Sequence, residues 1–216
     1  LFFEENPMRN TLFTALFLSL LSPIFTQQKA TTETGEIVIL MPDKTWEFES
    51  SPGSKNIIKT NPEVFEKNKS SSFLVRSKNL NIGFYINPKT WTFNKAELNE
   101  DAEYELEYRY NDLYGLVITE KVEIPIDNLA NIAFETAKDV APDMRIVNQE
   151  YRLVNGLKVL HQEMVGTLEG INLSYYAYYY SNANGSAQFL VYSGRNIVNT
   201  NTEIIDELLN GLVVLP

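Results

Sequence analysis

Chemistry needs reactive side chains within reach of one another, and this chain offers few. Its 216 residues hold one histidine, His161, and no cysteine. A serine hydrolase would have to build its triad on His161, yet no Gly-x-Ser-x-Gly turn accompanies it. The histidine stands between Leu160 and Gln162 in a strand-like run, where a place on a sheet surface is its plain role. Zinc takes several Cys, His or carboxylate ligands at close spacing, and these are not supplied. Oxygen ligands alone can hold calcium. Glu97, Glu100, Asp101 and Glu103 form an acidic run, but no Asp-x-Asp-x-Asp-Gly loop contains it, and a solvated loop is the simpler reading. Glu163 with Glu169 is the carboxylate pair a hydrolase would use, provided the two converge. No glycine-rich loop opens a helix, so nucleotide binding has no signature. On these grounds no catalytic residue, metal ligand or cofactor is assigned, and the chain is read as a non-enzyme.

The tyrosine run is the one surface candidate. Tyr175-Tyr176-Ala177-Tyr178-Tyr179-Tyr180 lies within a strand-like stretch from Asn172 to Ser181. Successive strand residues point to opposite faces. Tyr176, Tyr178 and Tyr180 therefore share one face, and Tyr175, Ala177 and Tyr179 the other. Tyrosine suits recognition because it offers area and a hydroxyl together. Tyr176, Tyr178 and Tyr180 are taken as the candidate partner-binding set. The alternative is that both faces are covered and the ladder only stabilises the sheet.

The stretch after Met8 bears on destination. Arg9 precedes an uncharged run, Asn10 to Gln28, with an apolar centre from Leu12 to Leu21 and Pro23 near its end. That is the layout of a secretory signal peptide. Leu1 to Pro7 match no targeting segment, and Met8 reads as the initiator. The apolar centre is shorter than the ~20 residues that cross a bilayer, so cleavage near Phe25–Lys29 is expected to leave no stable membrane insertion. The protein is expected to be exported, periplasmic or secreted. Without cysteine it has neither a lipoprotein anchor nor disulfides, and its core alone must hold it. The net charge is −10. Lys78, Arg109, Arg152 and Arg195 are scattered, whereas phosphate binding depends on clustered cations. Nucleic acid and anionic membrane surfaces are poor partners for such a chain.

The elements follow from periodicity. Glu36 to Met41 reads as a strand, and Asn61 to Ser72 as a short helix running into a polar linker. Lys44-Thr45-Trp46 and Phe48 are echoed by Lys89-Thr90-Trp91 and Phe93, each after an apolar run. Asn81 to Asn87 is a strand. Tyr104, Leu106, Tyr108 and Tyr110 alternate with Glu103, Glu105, Glu107 and Arg109, the period of a half-buried strand. Asn111-Asp112 turns the chain into Tyr114 to Glu123. Asp127 is the expected N-cap of a helix with an apolar stripe of Leu129, Ile132, Ala133, Ala137 and Val140, stopped by Pro142. Strands follow at Arg145–Val154, Lys158–Leu168 and Asn172–Ser181, turned at Asn155-Gly156 and Glu169-Gly170. A further strand runs from Ala187 to Ser193. Thr200 and Glu203 are spaced as a capping box for a last helix, with Gly211 as its left-handed end. Tight turns make these strands antiparallel, and two amphipathic helices need a sheet to cover. The fold class is α+β, an antiparallel sheet covered by helices.

This order resembles the PsbP-like superfamily, on several short motifs. Gly83-Phe84-Tyr85-Ile86-Asn87-Pro88-Lys89-Thr90-Trp91 is similar to the family's opening strand. Tyr151-Arg152-Leu153-Val154-Asn155-Gly156 is similar to its central hairpin. Tyr178-Tyr179-Tyr180 through Gln188-Phe189, and Leu208-Leu209-Asn210-Gly211-Leu212, are similar to its last strands and helix end. The resemblance covers Leu80 to Leu215 and implies an α/β/α sandwich. It implies no metal ligand and no activity, because the family shares a fold and not a function. The expected organisation is 1–27 as upstream residues plus signal peptide, 28–79 as an N-terminal extension with one or more strands and a polar linker, and 80–216 as the PsbP-like α+β domain. The expected function is an exported, non-enzymatic accessory or interaction protein acting through a sheet surface on another envelope or secreted protein. The alternatives are a small-molecule or glycan carrier with a pocket between sheet and helix, and a carboxylate hydrolase.

Overall fold

The computed structural model describes residues 28–31, 37–40, 44, 46–48, 58–97 and 99–216. The signal-like run as far as Gln27 lies outside the described residues, and of the expected cleavage region only Gln28 and Lys29 are described. The chain forms two compact units, Leu1–Asn56 and Ile57–Pro216. In the first, β1 (Gln28–Thr31), β2 (Ile37–Leu40) and β3 (Trp46–Phe48) pair antiparallel in that order.

The second unit begins with β4 (Lys59–Phe65), β5 (Phe73–Arg76), β6 (Ile82–Ile86) and β7 (Trp91–Lys95). Next come β8 (Ala102–Tyr108), β9 (Tyr114–Glu120) and α1 (Ile126–Val140). Four long strands follow: β10 (Arg145–Val154), β11 (Leu157–Leu168), β12 (Ile171–Asn182) and β13 (Gly185–Gly194). The chain closes with α2 (Arg195–Thr200), α3 (Thr202–Leu209) and β14 (Leu212–Val214). Among the described residues one sheet runs β4-β10-β11-β12-β13-β9-β8-β7, and a smaller one β14-β6-β5. All pairs are antiparallel except β4 with β10.

The β10–β13 meander is set by its turns. Asn155-Gly156 and Glu169-Gly170 carry φ of 48° and 82°, and 50° and 82°. Two successive positive φ values define the I′ turn, whose twist suits a hairpin. The Asn155 side chain also donates to the Asn210 and Leu212 carbonyls at 2.7 and 2.8 Å, tying the hairpin to the end of α3.

Several expectations are corrected. Residues 61–65 are strand, not helix. The stretch pairs with β10, and Pro62, which lacks an N–H, is tolerated because β4 is an edge. The domain therefore takes in β4 and β5 and begins before Leu80. Asp127 does not cap α1. The N-cap is Pro125, and the Asp127 carboxylate instead accepts a hydrogen bond from the Tyr151 hydroxyl. Thr200 and Glu203 form no capping box, since Asn201 interrupts the chain between two helices. The Thr200 hydroxyl donates back to the carbonyls of Asn196 and Ile197. Gly211 is needed for closeness and not for a left-handed turn: a Cβ there would sit 2.0 Å from the Tyr85 carbonyl oxygen. Trp46 and Trp91 each open a strand, but β2 pairs with β3 whereas β6 and β7 belong to different sheets.

The large sheet has two unlike faces. On one, α2, α3 and the small sheet pack over β12 and β13. Phe84, Ile86, Tyr178, Phe189, Ile205 and Leu208 are fully buried there, and the Phe84 and Phe189 rings meet edge-on at 4.5 Å. On the other face, α1 packs chiefly on β11 and β12, with Tyr151 of β10 and Leu190 of β13 at the margins of the contact. The result is a mixed, mostly antiparallel sheet with few helices, in which a second sheet shares the work expected of helices.

Candidate functional site

The strand register decides what each face offers. Glu150 of β10 pairs with His161 of β11, which pairs with Tyr178 of β12, which pairs with Phe189 of β13. All four therefore lie on the face under α3. Tyr178 is 0% exposed. Its hydroxyl accepts from Arg152 Nη1 at 3.1 Å and donates to Asn210 Oδ1 at 2.8 Å. Arg152 also meets Glu150 at 2.6 Å and Asp206 at 3.2 Å, with its guanidinium 4.6 Å from the Phe65 ring centre. Asn61 donates to Glu150 from the edge strand. Tyr180 is buried and accepts from Asn182. Tyr176 is half-buried, its ring 5.8 Å from that of His161.

The candidate set Tyr176, Tyr178 and Tyr180 is thus not a free ladder, and the expectation of an exposed partner surface on these residues is corrected. These side chains face a second layer and are consumed by it. Burial pushes Tyr178 up to about 12, against the lowering pull of Arg152. Burial, with Glu163 beside it, pushes Tyr176 to about 12 as well. Each hydroxyl remains a neutral donor.

The polar residues weighed for chemistry meet the same fate. His161 is fully buried, with Nε2 3.1 Å from Glu163 Oε1 and Nδ1 without a partner. Burial raises the Glu163 carboxyl, but hydrogen bonds from His161, Asn148 and Tyr176 outweigh it and hold the group below its ordinary value. Glu169 sits in the β11–β12 turn. Six extended residues separate it from Glu163, roughly 20 Å, so the two carboxylates do not form a hydrolytic pair. From the acidic run, Glu103 turns inward and accepts from Ser77 and Thr119 at 2.8 and 2.7 Å. It holds the loop before β6 to the sheet.

The opposite face leaves space. An α-helix is ~10 Å wide and strands lie ~4.8 Å apart, so α1 covers about two strands of the eight. It packs chiefly on β11 and β12, reaches β13 only at Leu190, and leaves a hollow over β9. A groove of about 380 Å³ results. Leu116, Ile118, Leu190 and Ala177 form its floor, and α1 lines it with Ile132, Thr136 and Val140. Ile132 and Val140 are 50% and 55% exposed. The apolar stripe of α1 is wider than the strip of sheet beneath it, and the surplus faces the groove. Tyr179 is fully buried in the floor, and its hydroxyl has no partner.

A second hollow of about 290 Å³ shares Asn99 and Leu116 with the first. Here a transverse aromatic row crosses three strands. Tyr114 pairs with Tyr192, and Tyr192 with Tyr175. The Tyr175 and Tyr192 rings stack at 5.6 Å and 17°, and Tyr114 follows at 5.8 Å. Tyr175 belongs to the run singled out in the sequence, on the parity that was not chosen. Tyr114 and Tyr192 carry no such local signal, since only register brings them together.

No family model matches the chain, and no curated protein matches it. Its fold is similar to solved structures. The PsbP of the cyanobacterium Synechocystis is 14% identical, with 66% of this chain and 91% of that chain covered at a TM-score of 0.49. A Pseudomonas aeruginosa protein of unknown function is 11% identical, with 67% and 97% covered at 0.44. LpqN of Mycobacterium tuberculosis, described as involved in cell envelope biogenesis, is 9% identical, with 67% and 90% covered at 0.48. The first of these is a PsbP protein, the group the sequence resembles. The likeness brings no activity, ligand or partner to this chain.

Proposed function

We propose that this is an exported, non-catalytic binding protein whose ligand is a small molecule held in the groove between α1 and the large sheet. The groove itself carries this reading. Binding sites for small molecules are concave, mostly apolar and of ~300–1,000 Å³, with a few polar groups that fix orientation. Leu116, Ile118, Leu190 and Val140 supply the apolar walls, and Asn99, Gln188 and the Tyr179 hydroxyl the polar points. Export rests on the run Asn10 to Gln28. Among the described residues no helix is long and apolar enough to cross a membrane.

The test uses the full chain and Nile red, a neutral apolar dye. The dye should brighten and saturate at one per chain. Thr136→Trp, which fills the groove from an exposed helix position, and Leu190→Lys, which places a charge on its floor, should each weaken the dye at least tenfold with the circular dichroism unchanged. No saturable signal, or a signal that both variants leave intact, refutes the groove.

A further inference from the structure

We infer that the groove takes an uncharged, mostly apolar molecule with one carbonyl group, such as a long-chain ketone, ester or amide, whose oxygen accepts hydrogen bonds from the Tyr179 hydroxyl and the Gln188 amide. This inference rests on the groove reading and adds the class of ligand.

The first argument is an unmet donor. Tyr179 is 0% exposed, and its hydroxyl bonds to nothing. Folded proteins rarely leave a buried hydroxyl in that state. Tyr178 and Tyr180, its neighbours on the closed face, both have partners. Tyr179 differs in its place. It packs with Leu129, Ala130 and Leu160 under α1 and also lines the groove. Burial pushes its titration upward, so the group stays neutral and donates.

The second argument is register. Tyr179 of β12 pairs directly with Gln188 of β13. Both side chains therefore rise from one face, with Cβ atoms ~5 Å apart. Gln188 is half-buried and lines the groove, and its amide bonds to no other side chain among the described residues. The Tyr O–H and the Gln N–H are both donors. A carbonyl oxygen has two lone pairs and no proton to place, so it accepts from both.

The walls exclude other heads. Among the described residues that line this groove there is no lysine and no arginine, and Asp101 and Glu120 are there instead. A fatty carboxylate would find no counter-charge. An ammonium head offers the two donors nothing to bond, and a plain hydrocarbon leaves both unmet. The apolar part of the ligand lies along Leu116, Leu190 and Val140. The Tyr179 hydroxyl is closed to water, so the carbonyl reaches it as α1 gives way slightly. The α1 residues packed in its cluster include Ala130 and Ala133, whose methyl groups hold the helix there by little area. With water excluded, the bond once made is stronger than it would be in solution.

The experiment uses the full chain and 2-decanone labelled with carbon-13 at the carbonyl. The ketone should displace Nile red. Its carbonyl stretch, read by infrared difference spectroscopy, should lie at lower frequency on the parent than on Tyr179→Phe, which should also bind it at least fivefold more weakly. Tyr178→Phe, on the other face, should change neither reading. Decanoate at pH 8 should displace the dye at least tenfold more weakly than the ketone. An unchanged stretch and affinity in Tyr179→Phe, or decanoate that matches the ketone, overturns the carbonyl assignment. Nile red binding that is lost in Thr136→Trp and Leu190→Lys then still upholds the groove. A dye signal that never saturates overturns both.

Discussion

The two faces of the large sheet are made from the same strands, often from adjacent residues, and they end differently. Phe189 and Leu190 are neighbours in β13. Phe189 points toward α3 and is fully buried, while Leu190 points to the groove and is half-buried. The face under α3 is closed by two helices and a second sheet. Its tyrosines, its arginine and its carboxylates bind one another. The face under α1 has one helix, too narrow for the sheet. What decides between structure and site is the amount of cover, because both faces have the aromatic and polar residues a site would need.

The largest test of that contrast is a pair of truncations. Phe189→Ala removes a ring that meets Phe84 at 4.5 Å. It should cost about 4 kcal/mol, the usual range for a fully buried phenylalanine. Leu190→Ala, one residue away, should cost about 1 kcal/mol, since its atoms are already partly in water. Urea midpoints at pH 7 measure both. Equal losses would mean that the groove floor is as closed as the core.

Arg152→Ala comes next. The guanidinium holds Glu150, Asp206 and the Tyr178 hydroxyl, with its own side chain 10% exposed. Removing it should cost about 2–3 kcal/mol, because Glu150 and the Tyr178 hydroxyl stay largely buried with one partner fewer, while Asp206 is open enough for water to replace the contact. The contrast is Glu107→Gln on the groove rim, where the residue is exposed and a change within about 0.5 kcal/mol is expected. A loss below 1 kcal/mol for Arg152→Ala would show that the cluster is solvated.

Smaller still, and of opposite sign, are two hydroxyl deletions on adjacent residues. Tyr178→Phe removes a group bonded to Arg152 and Asn210 and should destabilise by about 1–2 kcal/mol. Tyr179→Phe removes a buried hydroxyl that bonds to nothing. It should be neutral or stabilise by up to about 1 kcal/mol, since the cost of burying an unmet donor disappears. If the Tyr179 hydroxyl serves a ligand, Tyr179→Phe should also change Nile red affinity while Tyr178→Phe does not.

The same contrast explains what could be read from the sequence. The β10 to β13 strands were legible because two I′ turns fix their ends and β10 has clear bounds. The tyrosine parity was not. Tyr175-Tyr176-Ala177-Tyr178-Tyr179-Tyr180 is apolar on both sides, so its alternation has no phase, and only pairing with β13 and the helices fixes which side each layer covers. β4 was hidden because its partner lies some ninety residues away, and Asn61-Pro62 reads locally as the start of a short helix. α2 was hidden because it has only six residues with Val198 its one buried side chain, too short for a periodic signal, and the last helix was read as opening at Thr200. The Tyr114–Tyr192 contact had no local trace, being a product of register alone.

Acid should separate the faces once more. Glu150 is raised by burial, but hydrogen bonds from Arg152 and Asn61 and the Arg152 charge bring its carboxyl below the ordinary value of 4.5. Glu163 is held low by His161, Asn148 and Tyr176. Both lie on the closed face. A carboxyl depressed in the folded state contributes its full stability above the unfolded value, where both states are ionised. As pH falls through 4.5 the unfolded chain takes up protons first, and the contribution is lost until the folded groups protonate too. The urea midpoint should therefore be level from pH 7 to about 5 and fall below it. In Arg152→Ala, Glu150 has lost its main partner and titrates nearer its unfolded value. That variant should lose less between pH 5 and 3 than the parent does, although it starts lower. Parallel acid limbs in the two proteins would show that the Glu150–Arg152 contact does not tune stability.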